Sequence, residues 1–403
     1  DHRDLHSFPT RRSSDLDTAV VVGTVSDYLT AKGDAKLYNI NLPAGVYLQA
    51  QLTTPANADL DYDLYLLDAE GNILTGSDYY TYINGTAGTL PEALGYITSG
   101  DTATYYLYVL ASEGGSVSES FTLDYSVSTA CDSYEIDESV RQALAFTYGA
   151  GGAYIESRNL SSPIDNDWYV ITVPSSRIYD KLKISATTAS TNTCSVEVYQ
   201  NVASEGYQMK RVGSGNTISV SSGKYYIRVS NAKTMENFDD LDIQNYKLSI
   251  TPILKATGIV ITDLKGSEGL NKVVNYPGYG AHFRTQGSGT LTVYGVLTAT
   301  DSSTGVTYAV GGEQINGLYY SPAWEANNTS ANAIRRGTGT TDSSGKFEID
   351  ISLPPGIGVY SYYGSTSTHY FDICGVSVSP SDDSSISASE TIFHLAYTMY
   401  HPF

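Results

Sequence analysis

Carboxylates are the residues whose type and spacing suit them to chemistry. Asp165 and Asp167 stand two apart in S-P-I-D-N-D-W-Y-V-I-T-V-P (162–174), where a loop becomes a strand. Upstream, Y-E-I-D-E-S (134–139) supplies Glu135, Asp137 and Glu138. A hard cation takes six to eight oxygens, and five carboxylates with nearby backbone carbonyls supply such a set. A Ca²⁺ site built from Glu135, Asp137, Glu138, Asp165 and Asp167 is therefore expected, with an affinity on the order of 0.1 to 1 mM, as in extracellular modules. The alternative is a solvated acidic linker. Two further acidic runs, Asp59, Asp61, Asp63 and Asp68, and Glu236, Asp239, Asp240 and Asp242, read as a solvated strand edge and a solvated loop.

Nucleophilic or metal-hydrolytic chemistry has no comparable signal. Outside the first sixteen residues the histidines are His282, His369, His394 and His401, and no H-E-x-x-H, G-x-S-x-G or C-x-x-C occurs. The expectation is a protein without catalytic activity. Cys131, Cys194 and Cys374 allow at most one disulfide, Cys131 with Cys194 being the pair within one repeat, or three free thiols.

The net charge is −20, while charged residues make up only 16% of the chain and tyrosines number 35. Nucleic acid and anionic lipid reward clustered Lys and Arg, so neither is an expected partner. No apolar run reaches the roughly 18 residues of a membrane-spanning helix. H-S-F-P-T-R-R-S-S-D-L (6–16) reads like a translated sequencing adapter, so residues 1–16 are expected to be a leader without a packed role.

Short strands must position the acids. Trp168, Val170 and Thr172 alternate with Tyr169, Ile171 and Val173, and Pro174 ends the run because it cannot donate to a ladder. Tyr38, Ile40, Leu42 and Pro43 match Tyr169, Ile171, Val173 and Pro174, and Tyr105, Tyr106, Leu107 and Val109 match Tyr225, Tyr226, Ile227 and Val229 in the same order. Such ordered matches imply a duplicated unit. The runs 19–25, 37–42, 46–52, 64–67, 105–110 and 121–127 have the spacing of an antiparallel sandwich, D-A-E-G-N (68–72) reads as a hairpin turn, and 90–97 hints at a helical turn. Beyond residue 253 the clear strands are 291–299 and 347–353, with matching turns T-D-S-S-T-G (300–305) and T-D-S-S-G (341–345).

With Tyr134, Glu135 and Ser139, then Asp165, Asp167, Trp168 and Tyr169, then Gly223, Tyr225, Tyr226 and Val229, the stretch 129–252 resembles the bacterial pre-peptidase C-terminal domain. The stretch 17–128 resembles it more weakly: Lys36 replaces the second acid of D-x-D. G-K-F-E-I-D-I-S-L-P-P-G (345–356) resembles a transthyretin-like carboxypeptidase regulatory domain, an ordinary Ig-like module being the alternative. The expected architecture is all-β: three antiparallel β-sandwich domains in series, at 17–128, 129–252 and 253–403. The expected role is that of a secreted or cell-surface, non-catalytic protein that binds an extracellular polymer, protein or polysaccharide, or associates with itself in adhesion, matrix or filament assembly. The alternative is the C-terminal accessory region of a secreted peptidase whose catalytic domain lies upstream.

Overall fold

The computed structural model describes residues 4–7, 20–57, 59–78, 80–83, 86–87, 90–129, 131–188, 194–202, 208–214, 216–231, 244–267, 270–276, 280–285, 288–322, 333–356, 358–363, 366–370 and 373–400. The chain is nearly all β and builds antiparallel sheets that form sandwiches. It divides into two compact units, Asp1–Ser175 with Asp180–Ile253, and Ser176–Tyr179 with Leu254–Phe403. No helix among the described residues is long and apolar enough to cross a membrane.

In the first unit, one sheet orders the strands Asp4–Ser7, Ala35–Leu42, Ala103–Glu113, Asp61–Leu67 and Ile73–Ser77, and its partner orders Val20–Asp27, Phe121–Ser128, Tyr47–Thr53 and Glu92–Ile97. Period-two alternation decides what each strand buries. Tyr38, Ile40 and Leu42, Tyr62, Leu64 and Leu66, and Leu48, Ala50 and Leu52 meet in one core with Phe121 and Leu123. The outward rows are polar, and Tyr47, Gln49 and Gln51 form one of them. Residues 92–97 are a strand rather than the expected helical turn: Tyr47–Thr53 pairs with them from Tyr47↔Ile97 to Leu52↔Glu92, and that ladder overrides the helical spacing of Leu90, Ala93 and Leu94. The 68–72 turn is as expected, with Gly71 at φ 86° and the Asp68 carboxylate accepting from the Asn72 amide at 2.7 Å.

A seven-stranded sheet follows, ordered Leu144–Ala145, Asn166–Val173, Gly223–Asn231, Cys194–Asn201, Gln208–Ser214, Tyr80–Ile83 and Thr86–Ala87. The facing sheet orders Ala153–Leu160, Gln244–Leu254, Tyr179–Thr188 and Thr217–Ser219. Tyr38 lies opposite Leu107 and Tyr169 opposite Ile227, pairs that correspond under the sequence matches noted above. Both tyrosines are buried. Trp168 points the other way, into a separate cluster with Leu90, Val140, Tyr199, Met209 and Tyr226.

Asp4–Ser7 pairs in parallel with Ala35–Leu42, so this part of the leader does take up strand pairing. The pairing is made by backbone groups at an open sheet edge, which accepts an extended segment with little regard to its sequence. The remainder of residues 1–16, the run at Glu236, Asp239, Asp240 and Asp242, and His401 lie outside the described residues.

The second unit pairs Gly289–Thr300 with Gly258–Gly266 and with Lys346–Leu353, whose Phe347, Ile349, Ile351 and Leu353 face the core. Across it lie Gln314–Tyr320, Ile334–Thr340, Ile373–Pro380 and Ala388–Tyr400. The two T-D-S-S turns are built alike: Asp301 accepts from the Ser303 amide and Asp342 from the Ser344 amide, each at 2.8 Å, and Gly305 and Gly345 have φ of 72° and 74°. His282 stacks on Phe393 at 4.6 Å, and the Tyr319 hydroxyl lies 2.8 Å from His394 Nδ1. Cys131, Cys194 and Cys374 are free thiols.

Truncating Trp168 to Ala empties a large buried volume, and a loss of about 3 to 5 kcal/mol is expected. Urea unfolding of the single variant measures it. Deleting residues 1–16 removes, among the described residues, the Asp4–Ser7 edge pairing and is expected to leave Tm unchanged.

Candidate metal centre

The five acids singled out in the sequence come together. Glu135, Asp137 and Glu138 sit on the irregular segment that enters the second pair of sheets, while Asp165 and Asp167 open the Asn166–Val173 strand. Backbone pairing holds the two stretches in register, because the Trp168 amide donates to the Asp137 carbonyl at 3.0 Å. Asp165 and Asp167 are fully buried, not at a solvated rim as a loop-to-strand boundary suggests. A solvated acidic linker is thereby excluded.

Burying like charges requires partners, and the structure divides the acids between two. Arg158, itself fully buried, serves the first group. Its Nη2 donates to Asp137 and lies 3.0 Å from Asp167, its Nη1 donates to Asp132 at 2.7 Å, and its Nε donates to the Tyr169 hydroxyl at 2.7 Å. Tyr246 donates to Asp167 and lies 2.5 Å from the Tyr169 hydroxyl. Burial acts to lower the pKa of Arg158, but the charges of Asp167 and Asp137 outweigh it and raise the value, so this cation is permanent.

Among the described residues no cationic side chain pairs directly with Glu135, Glu138 or Asp165, although the Arg158 charge is felt at Asp165. Asp165 accepts from the Ser161 amide, and the two glutamates find partners on the outward row of Tyr47–Thr53. The Tyr47 hydroxyl lies 2.5 Å from Glu138 and 2.8 Å from Glu135, and Gln49 Nε2 donates to Glu138 at 2.7 Å. Asn166 adds its amide to Glu138 at 3.1 Å and its side chain to Gln51 at 3.3 Å. The close approach depends on Gly95, where a Cβ would lie 2.6 Å from the Tyr47 hydroxyl and 2.7 Å from Glu138 Cγ. One hydroxyl proton cannot serve both glutamates. Glu135 Oε1, Asp165 Oδ1 and Gln49 Oε1 remain buried without a hydrogen-bond partner.

Oxygens from Glu135, Glu138 and Asp165 all lie within 4.8 Å of one another, as do oxygens from Glu135, Asp137 and Asp167. Two oxygens each about 2.4 Å from one ion stand at most about 4.8 Å apart, so both groups are close enough to hold a metal ion. The second already contains the Arg158 guanidinium. Both groups hold orphaned oxygens, Asp137 Oδ1 and Asp167 Oδ1 among those of the second, but the first has no guanidinium, and its three carboxylates form the donor set of a hard cation.

Arg158, Tyr47 and Gln49 belong to the site without being part of the acidic motifs. Gln49 carries a legible signal, being a polar residue alternating with Leu48, Ala50 and Leu52 on a strand whose outward face would otherwise be free. Arg158 carries none, since a single arginine in a β-rich run is ordinarily a surface residue. Among the other acids, Asp63 is buried beside the Tyr65 hydroxyl at 3.2 Å, and burial pushes it up to about 6.

Without a metal, burial and the Asp165 charge push Glu135 up to about 8, and burial pushes Asp165 up to about 6 against hydrogen bonds from Ser161 and Gln49. Burial and neighbouring carboxylates also raise Asp137, Glu138 and Asp167 well above the usual range. Each such group binds its proton more tightly folded than unfolded, so the native state holds the excess of protons and stability falls as pH rises. The metal-free protein is expected to lose stability from about pH 4 to about pH 8, as thermal scans in chelator will read. Arg158→Met leaves Asp132, Asp137 and Asp167 unpaired and is expected to cost about 3 to 5 kcal/mol in urea unfolding, with Arg158→Lys a poor substitute.

No family model matches the chain. A 74-residue stretch is 36% identical to the uncharacterized protein YlqB of Bacillus subtilis, covering 18% of this chain and 46% of that protein. The chain thus spans about half the length of the curated relative it matches. Among solved structures, it is similar to the pre-peptidase C-terminal domain of a collagenase from Bacillus anthracis at 12% identity, over 32% of this chain and 93% of that one, with a TM-score of 0.19. It is also similar to the tandem CBM22 domains of Paenibacillus barcinonensis Xyn10C at 10% identity, over 58% and 91%, with a TM-score of 0.17. A periplasmic inhibitor of g-type lysozyme from Aeromonas hydrophila aligns at 8% identity, over 31% and 99%, with a TM-score of 0.22.

Proposed function

We propose that this is an extracellular or cell-surface, non-catalytic protein of serial β-sandwiches whose first unit is held together by Ca²⁺. The observation that carries the reading is the buried group Glu135, Glu138 and Asp165, with partnerless oxygens and, among the described residues, no cationic side chain paired with it. Hard carboxylate and amide oxygens favour Ca²⁺ over thiolate- or imidazole-seeking metals. An affinity on the order of 0.1 to 1 mM suits a compartment where calcium is abundant. Asp137 and Asp167 would support the site by anchoring its frame to Arg158.

Binding or assembly is the role that fits the remaining surface. The chain is acidic and rich in tyrosine, and the described histidines His282 and His394 pack against aromatic rings of the second unit. The partners of this reading are an extracellular protein or polysaccharide, or further copies of the chain. Calorimetry tests the calcium part. Millimolar Ca²⁺ is expected to raise Tm of the unmodified protein and to leave that of Asp165→Ala/Asp167→Ala unchanged; equal melting of the unmodified protein with and without Ca²⁺ would rule the site out.

A further inference from the structure

Gln49 lies on a strand of the first pair of sheets, in sequence far from the five acids, yet its side chain is within their group. It is 1% exposed. Nε2 donates to Glu138 Oε1 at 2.7 Å, and with Glu138 ionised, as cation binding requires, the reversed amide would set oxygen against oxygen. That leaves Oε1 buried and without a hydrogen-bond partner. A buried amide oxygen in that condition costs stability unless something electropositive meets it. Asp165 adjoins the same amide, which helps to hold its pKa down, and Asp165 Oδ1 and Glu135 Oε1 are likewise without partners. Asp137 Oδ1 and Asp167 Oδ1 of the adjoining group are orphaned too, and orphans gathered at one cluster of carboxylates fit a missing cation better than separate defects.

We propose that Gln49 is a ligand of the cation through Oε1, so that the first pair of sheets contributes a donor and the site is completed only when both pairs of sheets are present. The inference rests on the calcium reading above. An amide oxygen is an ordinary Ca²⁺ ligand and adds no charge to a site that already holds three carboxylates. The neighbouring Tyr47 hydroxyl contacts both glutamates and commits its one proton to one of them. Tyr47 is a positioning residue. Gln49 would link a cation held by Glu135, Glu138 and Asp165 to the backbone of Tyr47–Thr53, and so to the ladders with Phe121–Ser128 and Glu92–Ile97.

The test uses the full chain and two substitutions. Gln49→Leu removes both the oxygen and the donated hydrogen bond; Gln49→Glu keeps an oxygen and loses the donor. Ca²⁺ titration by calorimetry is expected to show at least about tenfold weaker binding for Gln49→Leu, with Gln49→Glu equal to or tighter than the unmodified protein. Eu³⁺ luminescence lifetimes in H₂O and D₂O provide a second readout, in which Gln49→Leu is expected to gain one metal-bound water. Unchanged affinity and hydration in Gln49→Leu would overturn the proposal. Equal weakening in both variants would also overturn it, since Gln49 would then act only by donating to Glu138. If the unmodified protein binds neither ion, the calcium reading falls and this inference falls with it.

Discussion

Desolvated carboxylate charge is the constraint to which the first unit answers. Asp137, Glu138, Asp165 and Asp167 are all nearly or wholly removed from water, and each ionised acid without a partner would cost several kcal/mol. The unit meets this locally in two ways. Arg158 gathers Asp132, Asp137 and Asp167 on one side, and the phenols of Tyr169 and Tyr246 continue that network. On the other side neutral donors from Tyr47 and Gln49 reach Glu135 and Glu138, and neutral donors offset less charge than a guanidinium. The imbalance between the two sides separates the roles of the acids.

The same network explains why the two pairs of sheets in the first unit adhere. The outward row Tyr47, Gln49 and Gln51 would be a solvated face in an isolated sandwich, but here it meets Glu138 and Asn166. The apolar counterpart is the cluster around Trp168, where Leu90 from the first stretch packs with residues of the seven-stranded sheet. Polar contacts fix the orientation and apolar burial supplies most of the adhesion.

The all-β class was legible in the sequence, because period-two alternation and turn chemistry act locally. Phe347 to Leu353 and the Asp301 and Asp342 turns needed nothing beyond their neighbours. The apolar spacing of residues 90–97 suits a helix, and the partner strand Tyr47–Thr53 decides otherwise. Trp168 was legible as buried, but its surroundings were not, since the residues that cover it come from distant stretches. For the site, the acids could be found by type and spacing. Gln49 shows only as a polar residue in an alternating strand, and Arg158 and Tyr47 not at all, because their roles come from tertiary placement.

One feature of the seven-stranded sheet bears on how the chain is assembled. Its outer strands, Tyr80–Ile83 and Thr86–Ala87, come from the first stretch and join it through Gln208↔Tyr80 and Met209↔Thr81. During synthesis they emerge long before the strand that receives them, so the first stretch cannot finish its hydrogen bonding alone. Closing that pairing spans a long loop and belongs to the slow, late part of folding. Until it closes, Gln208–Ser214 has an open edge, and the same segment of a second nascent chain satisfies that edge equally well: crowded chains are prone to exchange strands before each completes its own sheet.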